Sequence, residues 1–129
     1  MNSRQLISSG SPYEPIIGFS RAVRVGQHVW IAGTAPVWPD GSCDPDVQVQ
    51  ARRCFEIALT ALEQAGGGPQ HVVRTRMMMT DITDWEAIGR VHGEYFSEIR
   101  PVGTTVAVRA FNDPRWKVEI EIDAYIHDV

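Results

Sequence analysis

Three carboxylates stand at alternate positions in KVEIEIDAY, Lys117–Tyr125: Glu119, Glu121 and Asp123. On an extended chain they share one face with Lys117 and Tyr125, while Val118, Ile120, Ile122 and Ala124 take the other. The apolar side is a core side. A carboxylate on the opposite side can orient a water or take a proton. Three together repel, so nearby cations must offset them. Arg74, Arg76 and Arg109, in neighbouring strand-like segments, are available for that. Such a face is either solvated or packed on copies of itself, leaving polar pockets between subunits.

The other reactive side chains read as structural. His92 falls among apolar residues at helical spacing, where a packed, hydrogen-bonded histidine is the ordinary case. His28, His71 and His127 share no metal-ligand spacing, and no metal is expected. Cys54 sits on an apolar helix stripe, and nothing near Cys43 marks it as activated. Met77–Met79 is strand packing material. Gly66–Gly68 stops a helix and does not open a phosphate loop.

The chain has 129 residues and a net charge of −4. That length suits one domain, 1–129, with a real core. The acidic balance gives no drive toward nucleic acid or an anionic membrane. No apolar run is long enough to span a bilayer. Two cysteines without ligand spacing suit a reducing cytoplasm, with both thiols free.

The elements that must position these residues follow from periodicity. A short strand is expected near Gln5–Ser8, then a loop with Pro12 and Pro15. Ser20–Val25 and His28–Ala35 read as strands joined at Gly26-Gln27. Asp46 caps a helix over Asp46–Ala65 with an apolar stripe from Val47 to Leu62. Val72–Thr80 is a strand. Thr83–Ile99 is a second helix, with Thr83 and Glu86 as a capping box and Pro101 beyond its end. Thr104–Ala110 and Lys117–His127 are the last strands. Two amphipathic helices cover one face of such a sheet, which makes an α+β sandwich with one face left over. Alternation puts Val106 and Val108 on the covered side and Gly103, Thr105, Ala107 and Arg109 with Glu119.

Five stretches together resemble one family: IIGFSRAV (Ile16–Val23), WIAGTAPV (Trp30–Val37), VVRTRMMMTDITDWEAI (Val72–Ile88), HGEYFSEIRP (His92–Pro101) and VEIEIDA (Val118–Ala124). Their order and spacing are similar to the RidA (YjgF) family, formerly grouped under endoribonuclease L-PSP. The resemblance implies a chorismate-mutase-like fold of the bacillus type. It also implies a homotrimer with a barrel-like centre, and small-molecule pockets at the subunit interfaces. The best-known activity of the family is hydrolysis of reactive enamines and imines to 2-oxo acids and ammonia, with no cofactor.

By the same resemblance, Glu119 matches the acidic residue that positions water, Gly33 and Thr34 match a pocket segment, and Thr105 matches a pocket-lining position. Phe19 stands where tyrosine is usual, and Gly89 where asparagine is frequent. The carboxylate-gripping arginine falls two residues after the proline, which here is Gly103. Arg76 is the expected substitute and Arg24 a weaker one, because Arg109 lies roughly 20 Å along the strand from Gly103. The implied function is a RidA-like hydrolase for a small imine or enamine, with a substrate lacking a carboxylate as one answer to the missing arginine. The alternative is a trimer that binds a metabolite without turning it over. Ribonuclease activity ranks last, for want of basic charge and a histidine acid/base pair.

Overall fold

KVEIEIDAY lies at the centre of the sheet. In the computed structural model, which describes residues 3–127, its apolar residues Val118, Ile120, Ile122 and Ala124 are all buried, Glu119, Glu121, Asp123 and Tyr125 are half-exposed, and Lys117 is exposed. The strands are β1 (Arg4–Ile7), β2 (Ala22–Val25), β3 (His28–Thr34), β4 (Val72–Met79), β5 (Val102–Ala107) and β6 (Val118–Tyr125). They form one sheet in the order β1-β2-β3-β6-β4-β5, antiparallel except for the parallel β4–β5 pair. Helices α1 (Val47–Gln64) and α2 (Trp85–Phe96) cover one face, α1 lying over β3 and β6 and against α2. The expected mixed sheet with two helices on one face is therefore what forms.

The α1 ends obey local chemistry. Asp46 Oδ1 accepts from Gln48 N at 2.9 Å and Val49 N at 3.0 Å, satisfying two otherwise free donors of the first turn. At the other end Gly66 takes φ 98°, a left-handed conformation that favours glycine, and Gly67 N donates to Leu62 O at 2.9 Å. We expect Asp46→Ala to cost about 1 kcal/mol. Urea denaturation checks this, and an unchanged midpoint would show that the cap is redundant.

The second helix starts differently from its predicted capping box. Asp81, not Thr83, is the cap: its Oδ1 accepts from Thr83 N (2.9 Å) and Thr83 Oγ1 (2.6 Å) and stabilises a 3-10 turn over Ile82–Asp84. The α-helix then begins at Trp85, and Glu86 pairs with Arg90 one turn on instead of reaching back.

The core lies between helices and sheet. Phe55, Ala58 and Leu62 of α1, with Ile88, Val91 and Phe96 of α2, pack on Val29, Ile31, Met79 and the apolar face of β6. Phe55 is at the middle of an aromatic group, with ring centroids 5.2 Å from Tyr95, 5.8 Å from Phe96 and 5.9 Å from His92.

The penultimate strand corrects its predicted parity. It runs over Val102–Ala107, so Arg109 lies beyond its end. In register, Gly103 faces Thr75 and Thr105 faces Met77, both buried on the helix side. A Cβ on Gly103 would lie 3.4 Å from Thr75 Oγ1. Gly103 and Thr105 therefore share the helix side, while Val102, Thr104 and Val106 share the open face with Arg74, Arg76 and Met78. The valine alternation misleads because β5 is an edge strand whose every residue is exposed, with Val102 57% and Val106 41% accessible. On such a strand apolar alternation is not a burial signal.

Candidate functional site

A bulge in β3 builds the site. The β3–β6 pairing shifts register between Ile31, opposite Ile122, and Thr34, opposite Ile120, the neighbour of Glu119. At the bulge Gly33 comes so close to Glu119 that a Cβ there would stand 3.0 Å from Glu119 Oε1. A side chain here would displace the Glu119 carboxylate by a few tenths of an ångström, so the glycine leaves that group its place.

The three carboxylates of β6 then separate into two kinds. Glu121 pairs with Arg76 at 3.1 Å; Asp123 lies 3.7 Å from Arg76 and 3.7 Å from Arg74. Glu119 has no ion pair or hydrogen bond among the described residues. Burial raises its pKa above the ordinary 4.5 and the charge of Glu121 adds to this, while the cation of Arg21 works against it. A half-buried, unpaired carboxylate with raised pKa is suited to hold and deprotonate a water.

Two cavities of about 660 Å³ each meet near this bulge, and Phe19 and Gly33 line both. One lies on the open face and includes Arg76, Glu121 and Asp123. The other lies at the end of the sheet, between Ser9–Tyr13, the segment after β3, α1 and the loop before β6; it contains Thr34 and Glu119. Phe19, Gly33, Thr34 and Glu119 thus gather around one cavity, with Arg76 in the adjoining one. Gly89, Gly103 and Thr105 belong elsewhere in the same chain. Gly103 adjoins Thr75, whose hydroxyl lies 2.8 Å from His92 Nε2, one turn of α2 after Gly89.

The expected substitute cations, Arg76 and Arg24, each have partners within the chain. Arg76 is held by Glu121 and Asp123. Arg24 donates to Gly26 O and to Ala65 O at the C-terminus of α1. Two residues that periodicity does not single out line the Glu119 cavity instead. Arg21, at the entry to β2, is buried and donates to Gly33 O at 2.7 Å. Trp116 buries an indole nitrogen that has no partner among the described residues. A charged residue just before an apolar strand ordinarily reads as a solvated strand end, and only the fold brings Arg21 under the bulge.

His92 is a packed residue. Its ring lies against Phe55 and Phe96, and burial holds its pKa below the ordinary 6.5. The folded state therefore binds fewer protons at this position than the unfolded chain. The stability this provides is complete above pH 6.5 and is lost as pH falls through the folded value. An NMR titration is expected to find His92 below 6.5; a value at or above it would contradict the burial argument. Cys54 is buried and its thiol is pushed well up, and burial raises Cys43 too; both thiols are free. No group of three or more His, Cys, Asp or Glu among the described residues is placed to hold a metal. No helix there is long and apolar enough to cross a membrane.

Fold and site together define an α+β subunit of the chorismate-mutase-like type, with a solitary carboxylate at a β3 bulge. Residues 10–126 match the family described as Endoribonuclease L-PSP, and the chain belongs to that family. Among solved structures it is similar to Rv2704 of Mycobacterium tuberculosis, a member of the YjgF/YER057c/UK114 family. Identity is 44%, the TM-score is 0.89, and 96% of this chain and 100% of that one are covered. The uncharacterized protein SCO2049 of Streptomyces coelicolor is 39% identical over 122 residues, 92% of this chain and 90% of its own length. TdcF of E. coli, solved with bound serine, is 27% identical with a TM-score of 0.79, covering 93% of this chain and 92% of its own.

Proposed function

We propose that the chain assembles as a homotrimer and hydrolyses a small imine or enamine at clefts between subunits, with Glu119 holding the attacking water. The observation that carries this reading is Glu119 itself: half-buried, unpaired, of raised pKa, and open to a cavity. Water adds to the C=N carbon as Glu119 takes its proton. The carbinolamine then collapses to a carbonyl, and ammonia leaves with the returned proton. Water supplies the oxygen, so the reaction balances without cofactor or metal.

The division of the expected site into two groups supports an interface cleft. Glu119, Gly33, Thr34 and Phe19 form one part; Gly89, Gly103 and Thr105 form another, beside an edge strand that is exposed along its whole length among the described residues. A second copy against β5 brings unlike parts together. The serine bound to TdcF supports a small, amino-acid-like ligand. The second reading is a trimer that binds such a metabolite without turnover. It is favoured by Gly103 in the arginine position and by the ion pairs that Arg76 makes with Glu121 and Asp123. Ribonuclease activity remains last, given the net charge of −4.

The deciding assay generates 2-iminopropanoate with an amino-acid oxidase and follows its loss. Acceleration over buffer is expected. A rate equal to buffer removes the imine-hydrolase reading and leaves the binding one. Sedimentation at micromolar concentration is expected to give a trimer; a monomer would sink both, since each needs a cleft between subunits.

A further inference from the structure

The cavity that contains Glu119 is much larger than the smallest imines. Its volume is about 660 Å³. A three-carbon imino acid takes up roughly 100 Å³, the room of about three waters. The remaining lining is strongly apolar. It is drawn from three segments: Tyr13 and Ile17 before β2, Val37 and Trp38 after β3, and Ile57 on α1. Three of these side chains stand open to water, Tyr13 at 60%, Ile17 at 64% and Trp38 at 38%. One exposed apolar residue is ordinary, but several around one concavity mark a place that something apolar covers.

The wall is built in advance. Trp38 N donates to Ser42 O at 3.1 Å and Gly41 N donates to Trp38 O at 2.8 Å, which closes a turn on the tryptophan. Arg53 of α1 braces it: Nε donates to Val37 O at 2.9 Å, and the guanidinium carbon lies 4.1 Å from the centroid of the Trp38 ring. Ile17 is carried on the π-helical turn Glu14–Gly18, anchored where Glu14 accepts from Ser9 N (3.0 Å) and Ser9 Oγ (2.8 Å). Arg53 also pairs with Glu56 at 3.3 Å, and Asp40 Oδ1 accepts from Ser42 N at 2.9 Å. These polar groups are engaged by the chain, while the apolar surface beside them is not covered by it. A braced aromatic wall loses little freedom when a ligand covers it.

We infer, with this cavity taken as the ligand site of the proposed function, that its substrate is an imine carrying an apolar group about the size of a phenyl ring, seated against Trp38, Ile17 and Tyr13 while the C=N carbon faces Glu119. Trp38 and Ile17 are then specificity-determining residues. A methyl group in the same place leaves the wall wet and gains little from it, because the gain follows the apolar area covered.

Two imino acids made by the same oxidase test this, one from alanine and one from phenylalanine. They share charge and reacting carbon and differ only in the apolar group. Wild type is expected to show a kcat/KM at least roughly 30-fold higher for the phenylalanine-derived imine. Trp38→Ala is expected to bring that ratio below about 5-fold, with the rate on the small imine within about 2-fold of wild type. Trp38 also carries Arg53 on its ring, so Ile17→Ser, at an exposed residue, is the second variant, with an expected loss of about 3-fold for the bulky imine alone. Calorimetry with the two product 2-oxo acids makes the same comparison without turnover, and phenylpyruvate is expected to bind at least about 10-fold more tightly than pyruvate. Equal treatment of bulky and small compounds, or a preference that both variants leave unchanged, overturns the wall; a neighbouring subunit lying over Tyr13 and Ile17 would produce that result. Preferential binding of phenylpyruvate without hydrolysis of either imine leaves the wall standing and sinks the hydrolase. Hydrolysis of both imines at one rate does the reverse, and neither binding nor hydrolysis overturns both.

Discussion

Glu119→Gln is expected to lower kcat/KM for imine hydrolysis by roughly 100-fold or more, the usual contribution of a general base. The amide keeps the size of the side chain beside Gly33 but cannot take a proton from water. Stability moves the other way. Burial raises the pKa of Glu119, so the folded state binds more protons here than the unfolded chain does. The contribution of this carboxyl is favourable below pH 4.5 and is lost as pH rises through the folded value. At neutral pH the ionised group weakens the fold, and glutamine removes that penalty. The variant should melt at or slightly above the wild-type temperature. A large loss of both rate and stability would mean that Glu119 holds the bulge together and leaves its chemistry undecided; a fully active variant would exclude it as the base.

Phe55→Ala is expected to cost about 3–5 kcal/mol, the largest stability effect of any substitution considered. The ring is inaccessible to solvent and is enclosed by Tyr95, Phe96 and His92 across the α1–α2 contact. These neighbours come from another helix fixed by its own packing, so the vacated space cannot close. The loss should appear as a fall in urea midpoint with an unchanged slope. A cost below about 1.5 kcal/mol would mean that α2 slides inward to fill the gap. His92 reports the same event: with Phe55 gone its ring is better hydrated, and its pKa should rise toward 6.5.

Periodicity was enough to recognise β6, α1 and the two-layer architecture, because alternating Val118, Ile120 and Ile122 and the stripe from Val47 to Leu62 admit one arrangement each. It failed where burial does not follow from the local chain. Val106 and Val108 alternate as if one side of this strand were covered, yet β5 is exposed throughout among the described residues, and the register with β4 turns Gly103 and Thr105 toward the helix side. Thr83 looked like a cap because threonine three residues before glutamate usually is; Asp81 instead takes the Thr83 amide that Glu86 would have reached. Glu119 was legible as one of three carboxylates. What distinguishes it from Glu121 and Asp123 is the pairing of Arg74 and Arg76 across strands far apart in sequence. Arg21 and Trp116 carry no periodic signal. Only the fold brings them to the cavity beside Glu119.

The bare ladder of β5 bears on how this protein behaves on dilution. A strand open at its edge and on both faces is stabilised by whatever pairs with it, and a partner that binds only the folded chain raises stability with the logarithm of its concentration. If that partner is another copy, melting temperature is a function of protein concentration and not a constant of the sequence. Valines at 102 and 106 then carry free energy that no single-chain measurement records. Polar substitutions there would leave a dilute sample nearly unaffected while lowering the melting temperature of a concentrated one.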